Sequence, residues 1–203
     1  MEAVLALAFA STIGCGPSHP LEQVRALQDE SRDFAASIDP LRELIRSRPD
    51  DPEVHFRYGL ALLATGQQAL AVWPLQKAAS FPEWERRAVL PLARAFVATG
   101  SYDDAIELCG RALQHDADDV EALLLRAFAR IQARRDYEGA LADADRVLEL
   151  DPDNSEALVP RTVALLALER VEEAGVALDA IESLYRDESL GLHGSPELCT
   201  AQA

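Results

Sequence analysis

The sequence predicts an all-α fold, a solenoid of antiparallel helix pairs, and three observations carry that prediction. Small side chains recur at Ser37, Ala71, Ala105, Ala140 and Ala174, with gaps of 34, 34, 35 and 34 residues. A period of about 34 residues is the length of one helix-turn-helix unit, and a small residue held at one place in each unit marks where two helix backbones approach closely. Seven residues further on, two helical turns along the same face, stand Leu44, Ala78, Ala112, Val147 and Ile181, all apolar. Turn and stop signals then fall between these columns at the same interval.

The units read in order as residues 18–51, 52–85, 86–119, 120–154 and 155–188. In the first, Asp33-Phe34 opens the second helix with a polar cap, and Arg48-Pro49-Asp50-Asp51 stops it and caps the next. Arg25 stands where the first helix of this unit would carry a small residue. In the second, Gly66 allows a left-handed turn between the helices, and Pro74, equivalent to Pro40, predicts a bend or a delayed start in the second helix. The third has Pro91 expected in the first turn of its first helix, then Gly100, then Ser101-Tyr102-Asp103 as the cap of its second, and a stop at Asp116-Ala117-Asp118-Asp119. In the fourth, one extra residue near Arg134-Arg135 enlarges the inter-helix turn before Asp136-Tyr137, and Asp151-Pro152-Asp153-Asn154 ends the unit. The fifth places Pro160 level with Pro91, and residues 189–203 form a C-terminal tail.

Three stretches carry a family likeness: "YGLALLATG" from Tyr58 to Gly66, "ATGSYDDAIELCGRAL" from Ala98 to Leu113, and "RRDYEGALADADRVLELDPDN" from Arg134 to Asn154. In them the chain resembles a tetratricopeptide-repeat (TPR) protein, over residues 21–188. The resemblance implies a right-handed superhelical solenoid whose first helices line a concave face, and it implies a protein-interaction scaffold rather than an enzyme.

Composition narrows the partners. With 49% hydrophobic residues the chain can bury a continuous core, and a net charge of −16 repels nucleic acid at long range. The arginines at 86, 87, 94, 126, 130, 134 and 135 are therefore read as solvated faces and intra-repeat ion pairs. Chemistry is sparse. His19, His55, His115 and His193 lie far apart, with no ligand partner at metal spacing, and no phosphate loop, dinucleotide fingerprint or nucleophile elbow is present. The acidic pairs Asp103-Asp104, Asp118-Asp119 and Glu172-Glu173 suit helix starts, where they meet the positive end of the dipole. No cofactor, metal or small-molecule substrate is expected. Cys109 falls four residues after Ala105, on the core-facing side, as a buried structural thiol. A bridge to Cys199 has no positive support.

The N-terminus carries a separate message. Ala3 to Ala10 form an unbroken apolar run, too short to span a bilayer, followed by Ile13-Gly14-Cys15 and a Gly/Pro/Ser stretch. This resembles a bacterial lipoprotein signal: residues 1–14 as the signal peptide, Cys15 as the lipid-bearing N-terminus, residues 15–20 as a tether. It implies a periplasm-facing, lipid-anchored protein of the cell envelope, with the membrane as a partner through that lipid. The alternative is a cytosolic adaptor in which the apolar run is an ordinary helix capping the solenoid.

Carrying the family's groove positions onto this sequence gives Glu53, Phe56, Leu60 and Leu63, then Arg87, Leu90, Arg94 and Val97. The later units add Glu121, Leu124, Phe128 and Ile131, then Glu156, Val159, Val163 and Leu166. The floor is apolar, with one charge near the start of each helix. Such a groove suits an amphipathic helix or an extended apolar segment of a partner protein. The chain's own residues 21–38 or 189–203 are the competing occupants.

Overall fold

In the computed structural model residues 20–191 are described, with side chains to residue 183. The predicted signal peptide, Cys15 and nearly all of the tether and tail lie outside the described residues. The described chain is all helical: α1 Pro20–Arg25 running into a π-helical turn Ala26–Glu30, then α2 Phe34–Ser47, α3 Pro52–Ala64, α4 Gln68–Ala79 and α5 Pro82–Thr99. It continues as α6 Tyr102–His115, α7 Val120–Gln132, α8 Tyr137–Leu150, α9 Ser155–Ala167 and α10 Val171–Gly191. Each helix packs on its neighbour in sequence, and α3 touches α5, α5 touches α7 and α7 touches α9. That adjacency is the stacking of helix hairpins into a solenoid.

The column of small residues sits where the hairpins close. Ser37, Ala71, Ala105, Ala140 and Ala174 are all fully buried. A second small position, on the first helix of each unit, faces it: Gly59, Ala93 and Ala127 are buried, with Thr162 in the fifth unit. At Gly59 there is no room for a side chain, since a Cβ there would run into the Leu75 side chain. Around these contacts the core builds in clusters, one about Leu62, Leu75, Leu92 and Cys109, others about Leu21, Leu41 and Val54 and about Ala127, Leu141 and Leu165. In the seven-residue-later column Leu44, Ala78 and Val147 are buried, whereas Ala112 and Ile181 are half-buried.

The local signals hold at the turns. Asp33, Asp51, Asp119, Asp136 and Asn154 each cap a helix by accepting a backbone N–H, at 2.9 Å from Ala36, 3.0 Å from Glu53, 3.0 Å from Ala122, 3.1 Å from Gly139 and 3.2 Å from Ala157. Ser101 occupies the same place without a side-chain cap bond. Gly66 and Gly100 take the left-handed conformation, with φ of 76° and 81°. Between α7 and α8 the extra residue is accommodated by two non-glycine left-handed residues, Arg134 and Asp136.

Two of the prolines depart from expectation in position, and the other two in one respect. Pro91 and Pro160 are not in a first turn: α5 begins at Pro82, ahead of residue 86, and α9 begins at Ser155, so both prolines lie inside their helices. Nor do Pro40 and Pro74 delay their helices, which start at Phe34 and Gln68 and run on through them. A proline inside a helix leaves the carbonyl four residues earlier without its donor. Here those carbonyls belong to Ala36, Leu70, Arg87 and Glu156, all exposed residues, so water can take the donor's place.

The first unit deviates because of Arg25. The residue is exposed, and its guanidinium grips both oxygens of Glu53 at 2.7 and 2.6 Å. The π turn that follows brings Gln28 into the core, where its amide donates to Ser37 Oγ at 2.9 Å and to the Arg57 carbonyl at 3.0 Å. A buried hydrogen bond thus replaces the small-residue contact of the other units. Arg57 adds 2.8 Å to Glu53 and 3.0 Å to Asp29, and hydrogen bonding from Arg25, then from Arg57, draws the Glu53 carboxyl from 4.5 down to about 2 against the opposing effect of burial. Residues 21–38 are therefore spent on this first hairpin and do not fill the concave face.

Candidate partner-binding groove

The first helices α3, α5, α7 and α9 lie side by side and present the inner face of the solenoid. Between α5, α7 and α9 this face opens into a cleft of about 640 Å³ lined by Arg94, Val120, Glu121, Leu124, Leu125, Phe128, Asn154, Glu156, Val159 and Pro160. Six of these, Arg94, Glu121, Leu124, Phe128, Glu156 and Val159, are positions expected from the sequence. The cleft forms because helical spacing puts Glu121, Leu124 and Phe128 on one stripe of α7, and Glu156 and Val159 on the facing stripe of α9. Phe128 is 45% exposed and Val159 55%, and Val163 and Leu166 carry the exposed apolar line along α9 beyond the cleft.

Three tetratricopeptide-repeat family models match the chain, over residues 21–83, 86–131 and 132–192. The chain is a tetratricopeptide-repeat protein. Solved structures agree on the fold of this TPR chain. A MamA fragment from Desulfovibrio magneticus RS-1 is similar at 16% identity and a TM-score of 0.74, covering 85% of this chain and 98% of that one. MamA from AMB-1 is similar at 15% identity and 0.75, over 83% and 99%. A tetratricopeptide repeat protein from Parabacteroides merdae is similar at 19% and 0.70, over 83% and 66%. A sequence comparison with curated proteins gives no match.

The TPR groove is not open along its whole length. Phe56 packs against Trp84, ring centroids 5.4 Å apart and tilted by 48°, and the Arg87 guanidinium lies 5.1 Å from the same indole. Trp84 reaches Phe56 because α5 starts at Pro82, and it was not among the expected groove residues. The signal for it was present: Phe81-Pro82 is an extended residue followed by proline at N1, a helix start. Leu63 and Leu90 are half-buried against the core around Leu62, Leu75 and Leu92, and Leu60 and Val97 are half-buried as well. Glu53 is absorbed by Arg25 and Arg57. Leu125, Val120, Asn154 and Pro160 line the cleft without having been singled out.

Charge at the cleft is one-sided once pairs are cancelled. Arg94 meets Glu121 at 2.6 Å across α5 and α7, whereas Glu156 has no ion-pair or hydrogen-bond partner among the described residues. The amides at the N-termini of α7 and α9 are engaged by Asp119 and Asn154, which leaves fewer of them to attract an anion.

Behind the cleft a buried ion cluster fastens α7 to α8. Arg126 donates to Asp143 at 2.9 and 2.6 Å, and Arg130 donates to the same carboxylate at 2.6 Å and to the Gly139 carbonyl at 2.9 Å. These two arginines are thus intra-repeat partners and not a solvated face. The hydrogen bond to Asp143 raises the pKa of Arg126 against burial. Among the described residues no group of three His, Cys, Asp or Glu side chains could hold a metal ion, and no helix is long and apolar enough to cross a membrane. Cys109 is buried with its thiol free, and burial pushes its pKa up to about 12, which keeps it a weak nucleophile.

Proposed function

We propose that this TPR protein is a non-catalytic scaffold that takes a partner segment, an amphipathic helix or an extended apolar stretch, in the cleft between α5, α7 and α9. The observation that carries the proposal is the exposed apolar line of Phe128, Val159, Val163 and Leu166 on the inner face. Exposed apolar patches of this kind mark docking surfaces. The proposal includes an anchor: lipid on Cys15, holding the scaffold to a bacterial envelope membrane on its periplasmic side. What supports it is the order of apolar run, Ile13-Gly14-Cys15 and Gly/Pro/Ser tether. The acidic Glu2 beside that run favours a cytosolic adaptor instead.

Two measurements test the two halves. Pull-downs from envelope extract are expected to lose their bound proteins when Phe128→Glu and Val163→Glu are combined, both side chains being exposed and so replaceable without disturbing the core. An unchanged bound set would show that the cleft is not the recognition surface. Radioactive palmitate is expected to label the wild type and not Cys15→Ala, with the variant released from membranes. A wild type that is soluble and unlabelled would leave the cytosolic adaptor.

A further inference from the structure

The charge around the cleft says more about the occupant than its apolar floor does. We infer that the partner segment is basic: one or two bulky apolar side chains set into the pocket of Leu124, Phe128 and Val159, with Lys or Arg beside them facing Glu156. This rests on the cleft being the docking site, and it adds the sign of the ligand.

Three elements face the pocket, and each contributes one charge. Arg94 on α5 and Glu121 on α7 neutralise one another at 2.6 Å, so the cation that would welcome an acidic peptide is already held. Glu156 on α9 is exposed and without a partner among the described residues, one helical turn before Val159. The pocket therefore carries a net negative charge next to its apolar anchor site. A protein of net charge −16 adds a long-range field of the same sign, which speeds the approach of cations and slows that of anions. An acidic segment would meet Glu156 unpaired and would have to break the Arg94–Glu121 pair to find a counter-charge. A basic segment meets neither obstacle.

The probe is a short fluorescein-labelled amphipathic peptide with Leu and Phe one helical turn apart and lysines beside them, compared with the same peptide carrying glutamates in place of the lysines. Fluorescence anisotropy is expected to show the lysine peptide binding about fivefold or more tightly than the glutamate peptide, with the difference shrinking as salt rises. Glu156→Lys is expected to reverse the preference, and Phe128→Ala to weaken both peptides. The far-UV circular dichroism of both variants is expected to match the wild type, since both side chains are exposed. Equal binding of the two peptides, or preference for the glutamate form, overturns the inference while leaving the cleft as a docking site. Binding of neither peptide also overturns it, and the pull-down with the Phe128 and Val163 variants then decides separately whether the cleft docks anything.

Discussion

Replacing Asp143 with alanine is expected to cost the helix stack about 2–3 kcal/mol, because it strips the half-buried Arg126 guanidinium of its counter-charge and leaves Arg130 only the exposed Asp136, 2.9 Å away. The Asp143 side chain is 5% exposed, and those of Arg126 and Arg130 are 21% and 17% exposed, so water takes over its role only in part. Urea unfolding followed by circular dichroism measures the loss, and hydrogen exchange is expected to place it in α7 and α8 first, since each hairpin of a solenoid contacts only its neighbours. The cost comes from breaking the cluster and not from its absence. Removing all three charges together, as Arg126→Met, Arg130→Met and Asp143→Leu, is therefore expected to recover most of the stability. A loss under about 1 kcal/mol for Asp143→Ala would mean that solvent reaches the arginines in solution.

Enlarging the small-residue column has the second large effect. Ala140 is fully buried in a cluster made mostly of other alanines, Ala127, Ala164, Ala174 and Ala177, together with Leu141 and Leu165. Alanines have no rotamer to give way, and Leu141 and Leu165 are themselves buried in the cluster, so Ala140→Leu strains the approach of α7 and α8 at a cost of about 2–3 kcal/mol. Ala142 lies two residues further along α8 and is exposed. Ala142→Leu is accordingly expected to stay within about 0.5 kcal/mol of the wild type by the same urea measurement. Equal tolerance at the two positions would contradict the close helix approach on which the whole stacking depends.

The inner face was legible residue by residue but not as a surface. The groove positions implied by the family resemblance placed Glu121, Leu124, Phe128, Glu156 and Val159 on α7 and α9, and the structure joins all five in one cleft. The same resemblance placed Phe56 and Arg87 on the groove, where Trp84 now contacts both. The difference lies in where α5 starts. Dividing the units at residue 86 put Trp84 at the end of the second unit, whereas Pro82 at N1 begins the helix early enough to carry the indole back over that unit. Asp143 escaped notice for a related reason: it stands 17 residues from Arg126 and 13 from Arg130, and only the closing of the α7 and α8 hairpin brings the three together.

What the sequence determined by itself is the repeat: its period, the hairpins, the caps at Asp33, Asp51, Asp119, Asp136 and Asn154, and the left-handed turns at Gly66 and Gly100. Each depends on residues within a few positions of one another, and local backbone preference and helical periodicity suffice to set them. Only the tertiary structure decided which stretch of the inner face stays open. That depends on how a ring from one unit settles over its neighbour, as Trp84 does over Phe56, and on α9 having no further inner helix beside it among the described residues. Such contacts form between units, and spacing within a unit carries no information about them.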